Sequence, residues 1–297
     1  MIANVSDEIP LQDSETGMDF YFPPVSDLSV PRKMEDNRKY ALITGASSGI
    51  GWYFAEVLAK NGYFVVAASN QPAQLDDLKK KLERSYPIIV ETISIDLSQE
   101  NSAQGVFDYC NDKKLQVDVL INNAGIFVFG EAARINYSSI KSILTLHILT
   151  PALLCRHFGE QMISRQKGYI LNVSSIASVM SYPGISLYGP TKAFLRNFTR
   201  ALRTEMKLYG INVTCLIPGA TNTSLYDAAN FNVPLLMKLG IMKKPENIAN
   251  AGIRALFKNR AECIPGFLNK IIIVLLPFIP HFIIGIINRT TNFTGKT

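Results

Sequence analysis

The chain predicts an α/β fold of the doubly wound kind, one parallel sheet covered by helices on both faces. Three observations carry this. From Tyr40 onward short apolar runs alternate with longer helical ones, the short runs are continuous rather than alternating, and a glycine-rich turn follows the first of them. A strand that is apolar at every position is buried on both faces, as parallel strands joined by crossover helices must be. At 297 residues, 47% hydrophobic and 18% charged, the chain is long and apolar enough for one large domain with a full core.

Residues 1–38 carry eight acidic and three basic side chains, with Pro10, Pro23, Pro24 and Pro31 and no sustained period. They read as an acidic, disordered arm with Phe20-Tyr21-Phe22 as a docking point. Since the whole chain has a net charge of +6, the remainder is strongly basic. A basic body suits phosphate-bearing ligands or an anionic membrane surface. No nucleic-acid partner is expected, because Lys and Arg are dispersed and no nucleic-acid-binding motif is present.

Taken in order, Tyr40–Thr44 is the first strand, and a helix from about Ile50 to Asn61 is stopped by Gly62. Tyr63–Ala68 is the second strand and Gln74–Arg84 a charged surface helix. Ile88–Ile95 is the third strand, ending at Asp96, before a helix over Ser98–Asp112. Val117–Ile121 is the fourth strand and runs into Asn122–Gly125. A long helix covers about Ser138–Arg165, then come a strand at Tyr169–Val173 and a helix at Tyr188–Tyr209 ended by Gly210. Ile211–Ile217 is the sixth strand, closed by Pro218-Gly219. In such a sheet ligands sit at the carboxyl ends of the strands. The catalytic domain is assigned to residues 39–262 and an apolar extension to 263–297, with no repeat and no second domain.

The four cysteines (Cys110, Cys155, Cys215, Cys263) fall in helix, helix, strand and loop with no CxxC spacing. They read as buried, reduced thiols in a reducing compartment, and no metal site is expected. The N-terminus lacks the layout of a signal peptide. A cytoplasmic location follows, with peripheral membrane association left open.

Thr44-Gly45-Ala-Ser-Ser-Gly49-Ile-Gly51 lies between the first strand and the first helix. Gly45 allows the tight exit, Gly49 lets the backbone approach a pyrophosphate, and Gly51 lets the helix pack close to the sheet. Ser47, Ser48 and Ile50 complete the loop. An ordinary turn with surplus glycines is the plain alternative, and the position after the first strand favours a dinucleotide site. Asp96, followed by Leu97, can accept from an adenine amino group or cap a helix with Ser98, and both can hold at once. Asn123, Ala124 and Gly125 either shape the cofactor cleft or make a tight turn. The second strand ends Ser69-Asn70-Gln71 with no carboxylate to chelate an adenosine ribose. With Ser47, Ser48 and Asn70 at hand, that favours NADP(H) over NAD(H).

Tyr-x-x-x-Lys occurs three times, at Tyr109/Lys113, Tyr137/Lys141 and Tyr188/Lys192. Only Tyr188 has a serine thirteen residues earlier, Ser175, directly after a strand; the other pairs read as solvated helix faces. A free phenol titrates near pH ~10, too high for a base at neutral pH. An ammonium one turn away favours the phenolate. Ser175 can then donate to a substrate oxygen while Tyr188 moves its proton and Lys192 holds a ribose.

The motifs TGASSGIG (44–51), Asp96, NNAG (122–125), NVSS (172–175), YGPTK (188–192) and PGATNT (218–223), in this order, resemble those of the short-chain dehydrogenase/reductase family from Tyr40 to about Ala249. The resemblance implies a Rossmann-like fold and an NAD(P)(H)-dependent oxidoreductase acting on a carbonyl or secondary alcohol. By the same analogy Ser175, Tyr188 and Lys192 are catalytic. Pro218, Gly219 and Thr221 border the cofactor, and Thr223 contacts the nicotinamide carboxamide. Residues Ser224–Lys244 become a mobile lid, and homodimers or tetramers form through the two long helices. One departure stands out. Where similar sequences carry an asparagine that supports a proton relay through water, this chain has His147. A histidine can hold the same water and add a pH dependence; a side chain satisfied within the core is the other reading. His147 is also the one feature favouring a non-catalytic, cofactor-binding scaffold.

Ile271–Ile287 is seventeen residues whose only polar member is His281. As a helix it spans about 26 Å, short of a ~30 Å bilayer core, and Pro277 and Pro280 interrupt it. A monotopic membrane contact, a wall of the substrate pocket and an oligomer interface all remain open, with Lys270 and Arg289 flanking as interfacial anchors would. A lipophilic substrate suits each of them.

Overall fold

Tyr40–Thr44 (β1) is buried at every position, and its side chains divide between two cores: Ala41 and Ile43 enter one, Tyr40 and Leu42 the other. Phe64–Ser69 (β2) divides the same way, Val65 and Ala67 against Val66 and Ala68. Both strands therefore lack a polar face, which is why their sequences show no alternation. These features belong to a computed structural model that describes residues 38–180, 182–221, 243–280 and 282–284.

The remaining strands are Val90–Ser94 (β3), Val117–Asn122 (β4), Gly168–Val173 (β5), Ile211–Leu216 (β6) and Glu262–Cys263 (β7). All pair in parallel in the order β3-β2-β1-β4-β5-β6-β7. The chain starts mid-sheet, runs to one edge, and returns beside β1 to build the other half. The switch lies between β1 and β4, where the connections diverge and leave a crevice at the carboxyl ends.

Helices Gly49–Lys60 (α1) and Pro72–Ser85 (α2) line the first core. Ser102–Asp112 (α3) lines the second. Tyr137–Leu144 (α4) passes through a π-helical turn, Thr145–Leu149, into Thr150–Arg165 (α5). Helix α5 and Tyr188–Lys207 (α6) complete the second face, and Pro245–Phe257 (α7) the first. Together α4 and α5 are long and apolar enough to cross a membrane. Leu154, Phe158 and Met162 nevertheless lie fully in the second core, so this is a core helix.

Several elements depart from the sequence expectation. Helix α7 occupies a stretch with no assigned element, opening on Pro245 with Glu246 in its first turn, both favourable there. Helix α3 starts at Ser102 rather than Ser98. Cys263, expected in a loop, pairs with Leu216 in β7, so this edge strand uses residues on both sides of the expected 262/263 division. The long helix is not continuous but widens at Thr145–Leu149. The acidic arm up to Asn37, Thr223 with residues 224–242 of the expected lid, and residues 281 and 285–297 of the tail lie outside the described residues.

Phe267–Leu275 (α8) ends just before Pro277, which cannot donate into a helix. Its inner side carries Asn269 and Ile273, the latter against Cys215 and Ile217. Phe267, Ile271, Val274, Leu275 and, beyond the helix, Phe278 are exposed.

Candidate active site

Gly45 leaves β1 with φ +65, a conformation side chains resist, and its N–H bonds Ala68 O at 2.8 Å. The first turn of α1 then lies so close that a β-carbon on Gly51 would sit 2.0 Å from Gly45 O. Gly51 therefore lies beneath the loop, and the amide end of α1 faces the crevice above it. An anion fits that cradle.

Thr44 ties this loop to the next one. Its Oγ1 accepts from the N–H groups of Asn123 (2.9 Å) and Ala124 (3.0 Å) and donates to Ile121 O (3.3 Å). Asn123 Nδ2 in turn donates to Thr44 O at 2.9 Å and Gly45 O at 3.2 Å. Residues 123–125 are thus stapled to the glycine loop and form one wall of the crevice. Ser47 Oγ meets Ser69 Oγ at 2.8 Å, and Asn70 stands exposed beside them.

Asp96 lies two residues beyond β3, not at its end. It accepts from Ser98 N (3.0 Å), Ser98 Oγ (2.8 Å) and Gln99 Nε2 (3.0 Å), and these bonds, Gln99 foremost, hold its pKa below the usual carboxylate range. Since α3 begins only at Ser102, this is a local turn rather than the shared helix cap that the sequence suggested. Leu97 is buried, and its carbonyl accepts from Thr150 Oγ1 at 2.8 Å.

At the other end, Val173 O accepts from Lys192 Nζ at 3.1 Å, and Ser174 Oγ donates to Lys192 O at 2.7 Å. Ser175 caps a 3-10 turn, Ile176–Val179, its Oγ accepting from Ala177 N–H at 3.1 Å. A hydroxyl so used keeps its own hydrogen to give. Tyr188 opens α6, and Gly189 lets that end settle on the turn after Ser175: a β-carbon there would lie 3.1 Å from the carbonyls of Ala177 and Met180. Lys192, one turn on, has its ammonium 5.8 Å from the centre of the Tyr188 ring. Burial pulls the Lys192 pKa down to about 8, with Cys215 opposing the shift.

His147 sits in the π-helical turn and is 1% exposed. Its Nε2 accepts from Ile126 N–H at 3.0 Å, its Nδ1 lies 2.9 Å from Thr191 Oγ1, and its ring meets that of Tyr188 edge-on at 5.7 Å. Burial first, and Lys192 second, hold its pKa well below the ordinary histidine range. Pro218 O accepts from Ile176 N–H at 3.0 Å, Gly219 packs on the Asn269 side chain, and Thr221 bridges to Lys243.

One cleft of ≈ 530 Å³ joins these parts. Among the described residues, the expected cofactor and catalytic side chains all border it except Gly51. The other two Tyr-x-x-x-Lys pairs are elsewhere: Tyr109 and Lys113 both bind Glu91, and Lys141 pairs with Glu100 beside an exposed Tyr137. Sequence reasoning missed the linking side chains Thr44, Ser174, Thr191 and Asn269. The first three stand inside recognisable motifs, but their partners are distant in the chain; Asn269 is hidden in an apolar run.

A family model described as short chain dehydrogenase matches residues 39–232. Very-long-chain 3-oxoacyl-CoA reductase-A of Danio rerio is 32% identical over 188 residues, 61% of this chain and 57% of that protein, so the match spans little more than half of that relative. The 3-dehydrosphinganine reductase of Danio rerio is 29% identical over 238 residues, 77% of this chain and 72% of that one. A short-chain dehydrogenase from Sphingobium yanoikuyae, solved in complex with NADPH, superposes with a TM-score of 0.70 at 27% identity, covering 77% of this chain and 87% of that one.

Proposed function

The chain belongs to the short chain dehydrogenase family, and on that premise we propose that it is an NADP(H)-dependent reductase of a ketone borne on a long apolar chain. One arrangement carries this reading: Ser175, Tyr188 and Lys192 border the same cleft as the Gly45–Gly51 loop. The loop amides and the α1 N-terminus would hold the cofactor pyrophosphate, Asp96 and Leu97 the adenine, and Lys192 the nicotinamide ribose. When bound, the reduced cofactor supplies the hydride. Ser175 donates a hydrogen bond to the ketone oxygen, and Tyr188 delivers a proton to it. Lys192 in its charged form makes the phenolate left behind less costly.

NADP(H) is preferred in this reading because Ser69-Asn70-Gln71 offers no carboxylate to repel a ribose phosphate. Two relatives are named for a 3-oxoacyl and a 3-dehydrosphinganine substrate, which supports a lipid ketone. So does the apolar ground near Tyr188, where Phe127 packs edge-on at 5.0 Å and stacks with Phe129 at 6.3 Å. The exposed apolar side of α8, flanked by Lys270, suits peripheral contact with the cytoplasmic face of a membrane. Faces of α5 and α6 would join copies into a dimer or tetramer.

The test is turnover of purified protein with NADPH and NADH against short ketones, long-chain 3-oxoacyl thioesters and 3-keto sphingoid bases. NADPH oxidation that is fastest with the long-chain ketones is expected. Tight cofactor binding with no turnover of any ketone would overturn the reading.

A further inference from the structure

We propose that His147 is a positioning residue rather than a proton carrier: as a neutral Nδ1–H imidazole it clamps the loop after β4 to the start of α6, and so fixes Tyr188 through Thr191. This deepens the reductase reading and rests on it for its kinetic part.

The hydrogen positions follow from the partners. Ile126 N–H can only donate, so Nε2 at 3.0 Å must present its lone pair. The ring hydrogen then lies on Nδ1 and points at Thr191 Oγ1, 2.9 Å away. Thr191 accepts it and gives its own hydrogen to Tyr188 O at 2.9 Å. The chain of donors runs one way, from Ile126 through His147 and Thr191 to Tyr188. A second proton on the ring would set N–H against N–H at Ile126. The groups facing the ring discourage it further: Lys192 and the phenol of Tyr188 lie on α6, and Asp96, the only acidic residue bordering the cleft among the described residues, sits beyond β3. With both nitrogens engaged, the ring offers no site for a relay water unless one of these bonds breaks.

Two local features serve this placement. The π-helical turn at Thr145–Leu149 re-aims one residue off the regular helix face, as such turns do. Gly125 leaves room for the ring, since a β-carbon there would lie 2.9 Å from Nε2.

The experiment uses the protein labelled with ¹⁵N-histidine. The chain has 3 histidines, and loss of one signal in His147→Asn assigns His147. Long-range nitrogen–proton spectra are expected to show the Nδ1–H tautomer, unchanged from about pH 5.5 to 8.5 and disturbed in Thr191→Val. In turnover assays, Thr191→Val and His147→Leu are each expected to lower kcat by roughly tenfold to a hundredfold. The double variant should be no worse than the poorer single one, because both break the same link, while Thr191→Ser should keep most of the rate. An Nε2–H tautomer, a signal that titrates in this range, or additive losses would overturn the proposal. If His147→Leu does not fold, the spectra of wild type and Thr191→Ser still decide it. Absence of turnover alongside the expected tautomer would count against the reductase reading alone.

Discussion

Lys192 and Val173 are joined by a hydrogen bond of 3.1 Å from the lysine ammonium to the strand carbonyl. With Ser174 Oγ reaching back to Lys192 O at 2.7 Å, this stitches the end of β5 to α6, and the neighbouring Ser175 and Tyr188 border the same cleft. The bond also confines the ammonium in a buried place, and burial lowers its pKa to about 8. The charge is therefore held near neutrality but lost as pH rises through about 8, earlier than in a free lysine. In the proposed reduction Lys192 acts in its charged form, so kcat/KM should be level near neutrality and fall above about pH 8. Lys192→Met should lose the limb and lower the rate by about 10²–10⁴-fold. A wild-type limb that appears only near pH ~10, the range of a free phenol or amine, would refute this.

Gly51→Ala should abolish cofactor binding. The added carbon would fall 2.0 Å from Gly45 O and 2.7 Å from Asn123 Nδ2, and the first contact is backbone that cannot yield without moving the phosphate loop. Isothermal titration with NADPH is the measurement, with circular dichroism to separate lost binding from lost fold. Wild-type affinity in the variant would show that the loop can shift.

Thr44→Val keeps the shape but removes the acceptor for two backbone N–H groups, those of Asn123 and Ala124. Each donor left unpaired costs about 1–3 kcal/mol, so urea unfolding should show a loss of at least about 1 kcal/mol and weaker NADPH binding. Thr44→Ser retains the hydroxyl and should recover most of both.

The sequence made the sheet legible because its strands are buried on both faces and its helices are punctuated by Gly62 and Gly210. Much of the cleft was legible too, because the Gly45–Gly51 loop and the Ser175, Tyr188, Lys192 spacing each lie within one strand-to-helix step. What escaped was set by contacts between distant segments. The π-helical turn at Thr145–Leu149 was signalled only by Pro151, which has no N–H for the His147 carbonyl; that the helix widens there rather than ending follows from the tertiary bonds of His147. Helix α7 has a plain N-terminal signal in Pro245-Glu246, but it follows a stretch of irregular apolar residues. Strand β7 is two residues long and exists only as a partner for β6. Asp96 kept its place in the cleft while its cap dissolved into a turn, because Gln99 and Ser98 meet its carboxylate before any helix begins.

Asp118 gives a stability prediction with a definite sign. The residue is 7% exposed, its carboxylate accepts from Tyr40 N–H at 3.1 Å, and burial raises its pKa above the ordinary value. The fold thus favours the protonated acid. That contribution is complete below the unfolded pKa near ~3.9 and is lost as pH rises through the folded one. Asp118→Asn resembles the protonated acid and keeps an acceptor for Tyr40. It should be more stable than wild type at neutral pH, with the difference shrinking as pH falls toward about 4. Thermal unfolding across pH reads this, and a variant less stable at pH 7 would contradict it.

Helix α8 offers a test of the proposed membrane contact. Asn269 touches Gly219 at the cleft, and on the outward side Val274 is 60% exposed and Phe278 78% exposed. Lys243 rests its stem against Gly266 at the helix start, and Lys270 stands exposed one turn on, so cations border the apolar face where lipid headgroups would lie. Burying such a face in the interfacial region gains about 25 cal/mol for each Å² removed from water. The protein should therefore sediment with phosphatidylcholine vesicles containing phosphatidylserine, and low salt alone should not release it. Val274→Glu with Phe278→Glu should leave it in the supernatant, while turnover of a short, soluble ketone stays as in wild type, since neither side chain borders the cleft. Unchanged sedimentation in the double variant would rule out this face as the contact. A wild-type protein that ignores vesicles and is a dimer, with the double variant a monomer, would assign α8 to a contact between copies instead.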